Sequence, residues 1–154
     1  MTRKISVELD IQDLAAAIDS GASQGLKAGA DLIAADARLR APHRTGQLAN
    51  STQAEHPTGS LMSGDLQAIV ASGAPYATFV EFGTGIYGPK KQRIYPKTKK
   101  AMKWRGADGW IVRRSTKGMR AKPFLIPAME ANAEIVAQVI ADAVEFEIES
   151  KFRS

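Results

Sequence analysis

Glu81 is set in Pro75-Tyr76-Ala77-Thr78-Phe79-Val80-Glu81-Phe82-Gly83-Thr84-Gly85, between two large apolar residues. A carboxylate there is expensive to desolvate unless hydrogen bonds or a cation meet it. Three roles follow: a structural acceptor for backbone amides or an arginine, a general acid, or an intersubunit contact. The second needs a companion acid, base or metal set, and no such group is spaced for it. His43 and His56 are the only imidazoles, both in polar, turn-like surroundings, and no paired-His or Cys motif accompanies them. Asp31 and Asp36 are five apart, so they do not share a helix face as a catalytic pair would. Nucleophile-elbow, P-loop and dinucleotide fingerprints are all missing. The chain therefore reads as a non-enzyme, with no cofactor and no metal implied.

The second chemistry is charge. Lys90, Lys91, Arg93, Lys97, Lys99, Lys100, Lys103, Arg105, Arg113, Arg114, Lys117, Arg120 and Lys122 crowd into one window whose only acid is Asp108, a local net of +12. The remaining eight basic and fifteen acidic residues leave −7, which returns the overall +5. A basic insert on an acidic body suits phosphate or an acidic protein surface, since Lys and Arg attract both without reading sequence. Trp104 and Trp110 sit within it. They would stabilise an exposed hairpin by packing across its strands, or stack on single-stranded bases; the bland alternative is a solvated basic loop.

Elements must hold these groups in place. Tyr76, Phe79 and Val80 recur at helical spacing, Pro75 suits a first turn, and Gly83 and Gly85 allow a stop, so the Glu81 segment reads as a short, capped, buried helix. Ile5, Val7, Leu9 and Ile11 alternate with polar residues as in a strand. Asp13 to Arg40, rich in Ala and Gly, reads as a long helix weakened around Gly21 to Gly25. Leu48 to His56 and Leu66 to Ser72 read as an antiparallel pair around a Pro57 to Gly64 loop. Lys99 to Arg105 and Trp110 to Ser115, joined at Gly106 to Gly109, read as a hairpin with Trp104 facing Trp110. Pro127 opens a long C-terminal helix whose apolar face runs through Ala128, Ile135, Val139, Ala143 and Phe146, with Val136, Ile140 and Ile148 broadening it. Glu145, Glu147 and Glu149 oppose its dipole, so its last turn should fray or find basic partners, with Lys151 and Arg153 a partial offset.

The order gives an α+β fold. A small antiparallel sheet is packed by long N- and C-terminal helices, with a short central helix and a protruding basic β-hairpin. The 154 residues, 44% hydrophobic, suit one domain over 1–154 with 86–122 as a basic hairpin insert. Cysteine is absent, which removes disulfides and thiolate sites and fits a reducing cytoplasm. No run approaches the roughly 18 apolar residues of a membrane span, and Met1-Thr2-Arg3-Lys4 is not followed by a signal-type apolar region.

Three segments, read together, resemble the tail-completion or head-to-tail joining family of long-tailed bacteriophages. They are Ala34-Ala35-Asp36-Ala37 running into Ala41 to Ser51, then Tyr76-Ala77 with Val80 to Thr84, then Ala121 to Ala128. The resemblance spans Leu26 to Ile140, is weakest in the insert, and departs at His43-Arg44, where the family often has a shorter apolar-acidic pair. Its signature positions here are Pro42, Thr45, Gly46, Leu48, Tyr76, Glu81, Phe82, Gly83, Thr84, Pro123, Phe124 and Pro127. The resemblance implies a structural virion protein at the head–tail junction, made in the host cytoplasm and assembled as a homo-oligomeric ring of six around the DNA channel. Its partners would be adjacent neck or tail proteins, with channel DNA as a further non-specific contact, and no membrane. The alternative is a free nucleic-acid-binding protein that uses the basic hairpin.

Overall fold

The computed structural model describes residues 11–153. Helix-favouring Ala and Leu dominate from Ile11 onward, and α1 runs unbroken over Ile11–Arg40. The alternating Ile5, Val7 and Leu9 lie outside the described residues, and Ile11, 74% exposed, opens the helix instead of closing a strand.

The weakening expected at Gly21 to Gly25 does not occur, because these glycines meet the C-terminal helix α4 (Leu125–Phe152). A Cβ at Gly21 would lie 2.6 Å from Val144 Cα, one at Gly25 2.6 Å from Ile140 Cα, and one at Gly29 2.5 Å from Val136 Cγ1. As α1 advances by four residues, α4 recedes by four, so the two helices are antiparallel and in backbone contact. The dispersion gained at that distance offsets the roughly 1 kcal/mol each glycine costs a helix.

This close approach also decides which face of α4 turns inward. Packing along the every-fourth-residue ridge half-buries Val136, Ile140 and Val144, whereas Ile135 and Phe146 are 53% and 69% exposed. The 3.6-residue stripe read from the sequence had placed both inside. Glu147 accepts from Gln24 Nε2 at 2.7 Å, Lys151 pairs with Asp13 at 2.9 Å, and Arg153 meets Glu149 at 3.4 Å.

Leu48 lies in a helical turn, α2 (Gln47–Asn50), because the left-handed Gly46 starts a turn and not a strand. The strand begins later, as β1 (Thr52–Ala54), and pairs with β2 (Val70–Ser72); an isolated antiparallel bridge, Thr58 to Gln67, extends the pairing. In the intervening loop, Asp19 accepts from Ser60 Oγ and Leu61 N–H. The Ser60 N–H and Ser63 hydroxyl hold the Asp65 carboxyl below the usual carboxylate range.

The fold is α+β: two long helices packed together, a two-stranded antiparallel sheet, a short central helix and a second hairpin. Its contacts resolve into two compact units, 1–35 with 53–71 and 130–154, and 36–52 with 72–129. The chain crosses between them within α1, β1, β2 and α4. In the second unit Phe124 and Thr52 are fully buried, and Thr52 donates to the Leu48 carbonyl while accepting from Arg38 Nε at its own.

The hairpin is β3 (Met102–Gly106) and β4 (Gly109–Arg113), closed by two residues and not four. Its register pairs Trp104 with Ile111 and Arg105 with Trp110. Paired residues share a face and neighbours alternate, so the tryptophans lie on opposite faces and do not meet. Trp110 instead sits beneath Lys103, whose Nζ is 4.5 Å from the ring centroid.

Candidate functional site

The first amides of a helix have no partner within it. At α4 they find one in Glu81, from α3 (Ala77–Phe82), which is 5% exposed. Its Oε2 accepts from the N–H groups of Phe124 and Leu125 at 2.8 and 3.1 Å, and Oε1 accepts from Ile126 at 2.9 Å. Pro127 follows with no N–H to satisfy, so it is the third residue of α4 and not its opener. Negative charge is favoured at this end of a helix dipole.

Burying Glu81 rotates the inward face of α3, which keeps Val80 but not Phe79 of the face read from the sequence. Ala77, Val80 and Glu81 face inward, while Phe79 and Phe82 are 55% and 48% exposed. Tyr76 caps the helix and Pro75 precedes it, outside the first turn.

On either side of Glu81 the chain closes the base of the basic segment. Val80 O accepts from Lys122 N–H, Thr84 N–H donates to Met119 O, Ile86 N–H donates to Lys117 O, and Thr84 Oγ1 accepts from Met119 N–H, all at 2.8 to 2.9 Å. The two backbones come so close that a Cβ at Gly85 would strike Lys117 O and one at Gly118 would strike Thr84 O. Both glycines also have positive φ, 66° and 87°. Above this clasp Ile94 and Thr116 bridge antiparallel, Arg93 Nε donates to Ser115 Oγ at 3.0 Å, and the β3–β4 hairpin follows.

All thirteen cations of the segment are exposed. Among the described residues none lies within ion-pair distance of a carboxylate, the pairs found being Arg40 with Asp36, Lys151 with Asp13 and Arg153 with Glu149. Aromatic rings stand among them: Tyr87, Tyr95, Trp104 and Trp110 are 38 to 65% exposed, and the Arg120 guanidinium lies 5.3 Å from the Tyr87 ring. Cations interleaved with exposed rings can hold phosphates and stack on bases, or anchor a protein interface.

The three signature segments converge on one cavity of about 480 Å³. Pro42, Thr45 and Leu48 come from the first, Tyr76 and Val80 from the second, and Lys122 from the third, with Arg44, Gln47 and Met119 completing the wall. Tyr76 Oη donates to Gln47 Oε1 at 3.4 Å. Of the other signature residues Gly83 is buried, Thr84 belongs to the clasp, and Pro123 is exposed. His43 and His56 are exposed and far apart in sequence, Asp36 is paired with Arg40, and no group of three or more His, Cys, Asp or Glu among the described residues could hold a metal.

A family model described as "Bacteriophage HK97-gp10, putative tail-component" matches residues 6–83, half of the chain. The chain belongs to this HK97-gp10-like family. The match takes in the first signature segment and all but Thr84 of the second, begins ahead of Leu26, and stops at Gly83, ahead of the basic segment. No curated protein and no solved structure matches the chain. The family is one of phage tail components, which places this chain among structural virion proteins. No helix among the described residues is long and apolar enough to cross a membrane.

Gly118 and Arg44 carry structure that the reading of candidate residues passed over. Gly118 stands alone between Lys117 and Met119 in a polar stretch, a signal for a special backbone position. Arg44 stood out only as part of the departure at His43-Arg44, and folding alone brings it to the wall that Lys122 shares.

Proposed function

We propose that this tail component assembles as a homo-oligomeric ring at the head–tail junction, and that its Lys90 to Lys122 arm grips an adjacent surface. The observation that carries this is the arm itself: thirteen exposed cations free of ion pairs among the described residues, held at their base by a glycine clasp. Charge left unneutralised in this way attracts an acidic protein face or DNA. The outer surface of α4 offers such a face on a neighbouring copy, with Glu130, Glu134, Asp142, Glu145 and Glu149 all exposed.

A second reading rests on Tyr95, Trp104 and Trp110, whose exposure among cations suits single-stranded nucleic acid. Light scattering separates the two when combined with anisotropy titrations of labelled single- and double-stranded DNA. Self-association with weak or undetectable DNA binding supports the ring. A monomer that binds single strands, and whose affinity falls by about 10³ to 10⁵ between about 50 and 200 mM salt, as for six to ten phosphate contacts, overturns it in favour of the second reading.

A further inference from the structure

Resting on that self-assembly reading, we propose a specific contact: Phe146 of one copy enters the cavity between Arg44 and Lys122 of the next. Phe146 is 69% exposed on a helix surface, so the cost of its hydration is unrelieved in the single chain. Asp142 and Glu149, four residues before it and three after, lie on the same helix face and are exposed. The result is an aromatic knob between two carboxylates.

The cavity is its complement. Leu48, Val80 and Met119 give it apolar wall, Arg44 and Lys122 give it two exposed cations, and no acidic residue lines it. At about 480 Å³ it is within the roughly 300–1,000 Å³ of sites that enclose a ligand. Glu81, the nearby acid in sequence, is occupied by three amides.

Charge also selects the geometry. Between α4's Leu125 and Glu149 there are six acids and no base, so two such faces repel each other. The cavity rims, both cationic, repel as well. A contact must therefore join unlike surfaces, as the head-to-tail arrangement from which rings close does. The existing partners of the carboxylates do not compete strongly: Arg153 meets Glu149 at 3.4 Å in a largely exposed pair, and Gln138 donates to Asp142 at 2.6 Å.

Paired charge reversals test the contact without touching the core, since all four positions are exposed. One variant carries Arg44→Glu with Lys122→Glu, and the other carries Asp142→Lys with Glu149→Lys. Each alone should fail to self-associate in light scattering while keeping the wild-type circular dichroism spectrum. An equimolar mixture should reassemble, because every reversed cavity then meets a reversed knob and every native cavity a native one. Phe146→Ala should raise the concentration for half-assembly about thirtyfold or more, the scale of a lost aromatic anchor. If the wild type assembles and the variants assemble equally well, or the mixture is not rescued, the contact is wrong and the ring reading survives. A wild-type chain that stays monomeric at every concentration overturns both.

Discussion

Replacing Glu81 by Gln exchanges one carboxylate oxygen for an NH₂ group and tests how the start of α4 is held. The carboxylate accepts three backbone N–H groups, two on Oε2 and one on Oε1. An amide offers one oxygen and one NH₂. With the oxygen in the Oε2 position, Phe124 and Leu125 keep neutral bonds and the Ile126 N–H faces another donor. With the amide flipped, only Ile126 keeps a bond. Charge-assisted bonds contribute about 1.5–3 kcal/mol and neutral ones about 0.5–1.5, while an orphaned buried N–H costs about 1–3. The better amide orientation therefore loses about 3–6 kcal/mol, a large share of the roughly 5–15 kcal/mol that stabilises a typical domain. At about 2–4 °C per kcal/mol for a chain of this size, the melting temperature should fall by at least roughly 6 °C and up to roughly 24 °C, followed by circular dichroism and checked by denaturant titration. Glu130→Gln, an exposed carboxylate on the same helix, is the control and should stay within about 0.5 kcal/mol. A Glu81→Gln variant as stable as that control would refute the assignment of Glu81 as the anchor of α4.

Two further perturbations address the close approaches. Gly25→Ala would stabilise an isolated helix by about 1 kcal/mol, but its Cβ would lie 2.6 Å from Ile140 Cα. Overpacking of about 1–3 kcal/mol should exceed that gain and lower the denaturant midpoint; a rise would show that the helices part at no cost. Gly118→Ala puts a Cβ into the Thr84 carbonyl at a positive φ, so the clasp should open. Trypsin should then cut within Lys90 to Lys122 several-fold faster than in the wild type, with α-helical content unchanged; an identical cleavage pattern would mean that the clasp does not restrain the arm.

Much of this molecule was legible in the chain because the signals are local. Alanine-rich periodicity gave α1 and α4, the glycine-flanked turn gave the β3–β4 hairpin, and charge counting alone located the arm. That Glu81 needed a partner followed from Val80 and Phe82 beside it, since desolvation of a carboxylate does not depend on knowing the fold. Which partner it takes did not follow, because the amides of Phe124 to Ile126 lie more than forty residues away. Two positions on α4, Ile135 and Phe146, were misread for a related reason: a 3.6-residue stripe assumes side chains meeting side chains, and here Gly21 and Gly25 let backbone meet backbone, with Gly29 against the Val136 side chain, along the fourth-residue ridge. The tryptophans were misplaced by one step of register, and one step exchanges the faces of a strand. Composition and spacing thus determined which helices form and where the charge lies. Tertiary structure alone decided which apolar residues remain outside, Phe79, Phe82, Ile135 and Phe146 among them, because exposure is a property of what packs against a residue and not of the residue itself.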